Sequence, residues 1–331
     1  MILMWGGFIA FVFLLLALDL GVFNKKAHAP TVREALAFTA MTVALAIGFA
    51  GFVYEAYELN WQGLGSHIDA VDGQLNGGKL AMVKFFTGYI VEMSLSMDNV
   101  FVIALIFQHL RVPLAQQHRV LFWGIVGALG MRGTMIGVGA ALVSRYHWIL
   151  YLFGAFLVYT AAKMLLAKEK EEAPEESWLV HWLNRHFRVA KEFHGTRFQL
   201  TINGKRMITP LMVALVLVES TDLLFAVDSI PAIFAITTDP FLVFTSNVFA
   251  ILCLRSLYFG LAGLIEKFRY LKASLAVVLG LVGIKMLAAT KLNDYLGERV
   301  NYLMLATVAC VLVAGAVASV LVERNTQAGD R

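Results

Sequence analysis

Five carboxylates stand where a bilayer offers them no water: Glu92 and Asp98 in EMSLSMDN (92–99), and Glu219, Asp222 and Asp228 in ESTDLLFAVDS (219–229). Both segments lie inside apolar runs long enough to cross a membrane. A charge near the centre of a membrane helix costs roughly 2.5–3.5 kcal/mol even on the lenient insertion scale. Each of these groups must therefore face a bundle interior, a partner or an ion. Joined by the carboxamide of Asn99 and the hydroxyl of Ser229, the carboxylates form a hard, oxygen-rich donor set that suits Mn²⁺, Mg²⁺ or Ca²⁺. The chemistry to which this pattern points is cation handling inside a membrane.

The other donor types narrow the ion. All eight histidines (28, 67, 109, 118, 147, 181, 186 and 194) fall in expected loops or at their edges, whereas zinc, copper or nickel would call for imidazole or thiolate in the pathway. Met93 and Met97 flank the acids; as thioether donors they would favour Mn²⁺, and as core side chains they only fill space. Cys253 and Cys310 sit in expected spans and read as small apolar packing residues, not as a disulfide. The acids have a structural alternative too. Arg132, Lys163, Arg255 and Lys285 also lie within spans and can pair with four of the five, either holding the bundle together or yielding when a divalent ion enters. Asp19 lies about one turn from the inner end of the first helix, where it reaches water.

The elements that must position these groups are transmembrane helices. Of 331 residues, 59% are hydrophobic and 15% charged, with mean hydropathy +0.73; a soluble domain carries about 25% charged residues. The expected class is an all-α polytopic membrane protein, one membrane domain over 1–331. At about 20 residues per crossing, nine helices are expected near 5–23, 35–54, 82–108, 120–143, 147–167, 209–236, 241–264, 272–290 and 300–322. Eighteen basic residues fall on one side of this arrangement and four (Lys79, Arg145, Lys291 and Arg299) on the other. The positive-inside rule then places the N-terminus outside and the C-terminus in the cytoplasm, in a bacterial inner membrane. This segregation also removes nucleic acid as the reason for the net charge of +4. Lys25 and Lys26 follow the first apolar run, the pattern of an anchored span and not of a cleaved signal. Two connections are long. Residues 55–81, rich in Gly, Asp and Asn, suggest no role. Residues 168–207 are cytoplasmic: KEKEEAPEES (168–177) reads as a solvated linker, and RFQLTINGKRMITP (197–210) alternates around Asn203-Gly204, a β-hairpin signal.

The acidic helices align as copies. Glu92 and Asp98 are six residues apart, as are Asp222 and Asp228, and Asn99 matches Ser229. Downstream, GIVGALGMR ending in Arg132 matches NVFAILCLR ending in Arg255, and AAKMLLA with Lys163 matches GIKMLAA with Lys285. Repeat one covers 82–167 (helices three to five) and repeat two 209–290 (helices six to eight). An odd number of crossings per copy inverts the second, which places an ion site near the midplane where discontinuous helices meet. Six residues turn a helix by about 600°, so Glu92 and Asp98 share a site only if their helix unwinds locally. Pro231 would break the ladder in helix six. Asp98 and Asp228 are the expected equivalent ligands, with Glu92 and Asp222 beside them and with hinges near Gly88 and Ser229–Pro231.

EMSLSMDNVFV, VESTDLLFAVDSIPAIFAITTDPF and the two Lys-Met-Leu helix ends give the chain a resemblance, over nearly its whole length, to the TerC family of integral membrane proteins, and within it to the Alx-type members. The resemblance implies an inner-membrane protein of seven to nine helices, related to the LysE-type transporter superfamily and associated with Mn²⁺ efflux. Its membrane acids are Glu92, Asp98, Glu219, Asp222 and Asp228. The expected function is export of divalent cations, Mn²⁺ foremost, with the ion as substrate and no resident cofactor. No Walker motif is present, so transport would draw on an existing gradient or potential, and no enzymatic activity is expected. Two alternatives stand: a membrane factor that binds metal and supplies it to secreted or partner proteins, and a tellurium-resistance component without transport turnover. An anionic tellurium species would be repelled by the acidic helices.

Overall fold

The computed structural model describes residues 2–18, 32–66, 68–166, 182, 185–190, 192–193, 195–202, 204–261 and 271–329. Asp19, the linker at 168–177 and the side chain of Arg255 lie outside the described residues. The helices are α1 (Ile2–Leu18), α2 (Val32–Glu58), α3 (Gly78–His109), α4 (Leu114–Arg145), α5 (Trp148–Leu166), α6 (Pro210–Phe234), α7 (Pro240–Leu261), α8 (Leu271–Leu287), the short α9 (Ala289–Leu296) and α10 (Arg299–Gly329). Seven of them, α2 to α7 and α10, are long and apolar enough to cross a membrane. Among the described residues α1 and α8 have 17 each, a length of about 25 Å. The chain is a multi-pass integral membrane protein.

Lipid leaves no backbone group unpaired, and the polar residues of these helices respect that rule. Thr87, Ser94, Ser220, Thr245 and Ser246 each donate to the carbonyl one turn back, so hydroxyls are absorbed without breaking the ladder. The expected unwinding of the third helix is therefore not found: α3 runs unbroken from Gly78 to His109 through SLSMDN. Pro231 falls in the last turn of α6, which continues to Phe234; so near the helix end, its missing N–H ends nothing. Helix starts follow their capping residues. Thr209 accepts from the Met212 amide ahead of Pro210, and Asp239 accepts from the Phe241 and Leu242 amides ahead of the α7 segment.

The centre of the bundle is built from α3 to α8. α3 packs on α7, α4 on α6, and α5 on α8. The α5–α8 crossing is close because it is made of glycines: a Cβ on Gly283 would lie 2.9 Å from the Gly154 carbonyl oxygen, and small residues let membrane helices approach in this way. Gly88 belongs to the same class of contact, with Ser246 and Ile233 occupying the space a side chain would need. A phenylalanine cluster (Phe8, Phe49, Phe85, Phe241 and Phe249) seats α1 and α2 against α3 and α7. Strands β1 (Gln199–Ile202) and β2 (Lys205–Ile208) pair antiparallel, Gln199 opposite Ile208 and Ile202 opposite Lys205, with Gly204 at φ +72 in the turn.

Candidate functional site

Helices α3 and α6 carry their inward polar residues at heptad spacing. Seven residues turn a helix by about 700°, so Glu92, Ser96 and Asn99 form one stripe on α3, and Asp222 and Ser229 form one on α6. All five are buried, Glu92 and Asn99 with 1% exposure. Between the stripes lies Arg132 from α4, 2% exposed. Its Nε and Nη2 donate to the two oxygens of Asp222 at 3.2 and 2.8 Å, a bidentate fork. Its Nη1 donates to Glu92 Oε1 and, at 3.4 Å, to Ser229 Oγ. The Asn99 amide donates to Asp222 Oδ1 at 2.8 Å. Removing Arg132 would leave two buried carboxylates uncompensated, which costs roughly 3–5 kcal/mol.

The cluster is not saturated. Glu92 Oε2, Ser96 Oγ and Asn99 Oδ1 are buried without a hydrogen-bond partner, three oxygens on a single α3 face. Buried polar atoms are almost always paired, and one left unpaired calls for a ligand or water. The set also holds two acids for one guanidinium. The arrangement can accept a small cation through oxygen.

The remaining sequence-selected residues are placed elsewhere. Asp98 is 120° round α3 from Glu92, in the field of Lys272 at the start of α8. Asp228 accepts from Thr160 of α5 at 3.3 Å, with the exposed Lys163 in its field. Glu219 lies beside Asp222 and against α4, where Gly127 makes room for it: a methyl group there would overlap the carboxylate. No group of three or more His, Cys, Asp or Glu side chains comes together with metal-holding geometry among the described residues. Lys285, expected to neutralise a midplane acid, instead donates to the Ala235 carbonyl at 3.0 Å and to Asn301 at 3.4 Å. The reason is the missing unwinding. On an intact helix six-residue spacing diverges and seven-residue spacing converges, so Ser96, overlooked in the sequence, joins the site and Asp98 leaves it.

A second buried cluster was hidden in the connection between α2 and α3. Lys84, 1% exposed, points from α3 into residues 69–76. It donates to Asp69 Oδ2 at 2.8 Å and Asn76 Oδ1 at 2.7 Å, and it pairs with Asp72 Oδ2 at 2.7 Å. Asp69 also accepts from the Val71 amide, the Thr238 amide and hydroxyl, and the Thr237 hydroxyl. Asp72 accepts from the Gln74 amide and from Asn301 of α10. Burial alone would push the Asp69 carboxyl up, but the Lys84 ammonium and the bonds from Lys84, Thr237 and Thr238 outweigh it and hold the group at about 2. Asp239 nearby shows the opposite balance: burial pushes it up, against a bond from Tyr57.

Buried carboxylates around an arginine within a helical membrane bundle define a class, that of membrane proteins with an intramembrane polar site, and sequence comparison supplies the family. Residues 78–327 match the integral membrane protein TerC family. The chain is 45% identical to an uncharacterized membrane protein of Myxococcus xanthus over 327 residues, 99% of this chain and 95% of that one. It is 45% identical to the Escherichia coli K12 protein named "Putative membrane-bound redox modulator Alx" over 286 residues, 86% of this chain and 85% of that one. A Rickettsia bellii membrane protein is 36% identical over 96% of this chain and 97% of its own. No solved structure matches. The chain belongs to the TerC family.

Proposed function

We propose that this protein exports divalent cations, Mn²⁺ foremost, through the Glu92–Asp222 site. One observation carries the reading: three buried oxygens on one face of α3, Glu92 Oε2, Ser96 Oγ and Asn99 Oδ1, have no partners, beside two acids that share a single arginine. Oxygen-only donors suit a hard divalent ion. Glu92, Ser96, Asn99, Asp222 and Ser229 are its carriers, Arg132 is the resident counter-charge, and Asp98, Glu219 and Asp228 are further acids of the same two helices. The protein is a transporter and not an enzyme, driven by an existing gradient or potential. Its nine crossings include α1 and α8, with the N-terminus outside, the C-terminus in the cytoplasm and the bacterial inner membrane as its location. Repeats 82–167 and 209–290 are inverted copies. In support, α3 packs on α7 as α6 packs on α4, while α5 and α8 pack on each other, the exchange that a two-fold axis in the membrane plane requires.

A second reading has its own observation. Arg132 already neutralises one carboxylate and ties three helices, as a static metal-holding or structural site would. The purified chain in liposomes separates the two. Wild type should move Mn²⁺ across the membrane, and Glu92→Gln or Asp222→Asn should lower that flux at least a hundredfold while reaching the membrane in normal amount. A wild-type protein that binds Mn²⁺ without moving it would leave the metal-holding reading, and one that does neither would remove both.

A further inference from the structure

Asn247 of α7 is 1% exposed, yet neither its Oδ1 nor its Nδ2 has a hydrogen-bond partner. A carboxamide buried in this state loses the water it had and gains nothing. Its depth follows from its neighbours along the helix. Val243, one turn before it, belongs to a core cluster with Ile136 of α4 and with Ala226 and Ile230 of α6. Phe244 fills the space beside Gly133, next to Arg132 on α4, and Ser246 fills the space beside Gly88, about one turn before Glu92 on α3. Asn247 therefore lies within about a turn of Glu92 and Arg132 along the bundle.

We infer that Asn247 is a further oxygen donor to the divalent cation, supplied by a fourth helix, α7, at the Glu92 end of the α3 stripe. This rests on the transport reading and deepens it. The resulting set is one free carboxylate oxygen, one hydroxyl and two carboxamide oxygens, with water completing the six or more ligands that such ions take. The Asn247 amide then donates to a bound water. Neutral donors matter for turnover. Affinity for these ions is tuned by the number of ligand charges, and a site with a single unpaired carboxylate oxygen holds the ion loosely enough to release it.

The test uses the full chain in liposomes, reading Mn²⁺ flux and, separately, Mn²⁺ binding from the signal of the free ion. Asn247→Leu should weaken Mn²⁺ binding at least tenfold, and Asn247→Ser, which keeps an oxygen, by less. Asn247→Asp should tighten binding and slow maximal flux, an outcome that a packing role for Asn247 does not produce. If the Leu variant fails to reach the membrane, the Ser and Asp variants carry the test. Binding and maximal flux within twofold of wild type for the Asp variant, and binding likewise for Leu or Ser, while Glu92→Gln abolishes flux, would overturn the assignment of Asn247 and leave the transport reading standing. A wild type that neither binds nor moves Mn²⁺ would instead remove the reading on which it depends.

Discussion

Two buried cations in this protein are each clamped by two acids, and the two sites differ in what is left over. Around Lys84, both oxygens of Asp69 and both of Asp72 have partners, and the ammonium has three acceptors for its three protons. Around Arg132 a carboxylate oxygen, Glu92 Oε2, has none, nor have Ser96 Oγ and Asn99 Oδ1; in the 69–76 turn Gln74 Oε1 is open too, but it is not an acid oxygen. A saturated ion cluster holds chain segments together: Lys84 fixes the 69–76 turn, which through Thr237 and Thr238 is tied to the α6–α7 connection. An unsaturated one keeps capacity for a ligand. Charge burial alone does not distinguish a lock from a site with room for a ligand; an unspent carboxylate oxygen does.

The largest test of this contrast removes each cation. Lys84→Ala and Arg132→Ala should each destabilise the protein by about 3–5 kcal/mol, because each strands two buried carboxylates. Thermal unfolding in detergent measures this. Mn²⁺ should then separate the variants. At a hundredfold excess over Kd a ligand that binds only the folded state returns about 2.7 kcal/mol. The Arg132 variant, whose Glu92 and Asp222 face the open acceptors, should regain stability, and the Lys84 variant, whose acids are fully bonded, should not. Equal rescue of both would erase the distinction between lock and site.

A smaller effect belongs to the saturated cluster alone. The Asp69 carboxyl is held at about 2 against an ordinary 3.8. A carboxylate whose folded value is depressed adds stability that is fully present above its unfolded value and is lost as pH falls through the folded one. Asp69 should therefore contribute about 2 kcal/mol above pH 4, and this should vanish between pH 4 and pH 2. Comparing Asp69→Asn with wild type across that window measures it. A stability difference unchanged down to pH 2 would mean that Asp69 is not held by its charge.

Sequence reasoning reached the inner site because lipid makes carboxylates conspicuous: Glu92, Asn99, Asp222, Ser229 and Arg132 all stood out against apolar surroundings. It read the acids by another period than the one on which the Arg132 cluster is built. Matching the six-residue gaps between acids singled out Asp98 and Asp228, whereas the intact α3 and α6 converge at seven. Ser96 was within the quoted motif and could have been found by reading the stripe Glu92–Ser96–Asn99. The outer cluster was not legible, since Asp69, Asp72 and Asn76 sit in a Gly-rich connection where polar residues are ordinary and nothing local says they are buried. Lys285 shows the same limit. Its partners, Ala235 and Asn301, come from other elements, and no spacing along α8 encodes them.

The smallest expected effect is also the sharpest. Ser96→Ala removes a buried hydroxyl that bonds to nothing, and deleting a polar atom without a partner costs little or even stabilises, because no bond is lost and a desolvation penalty is relieved. Stability should change by no more than about 0.5 kcal/mol. Mn²⁺ flux at limiting ion should nevertheless fall several-fold, since one of three open acceptors on α3 is gone. That dissociation of fold from transport is what an unsaturated site predicts and a structural cluster does not. A loss of about 1–3 kcal/mol with normal flux per folded molecule would show that Ser96 is bonded in the working protein, and the inner cluster would then resemble the outer one.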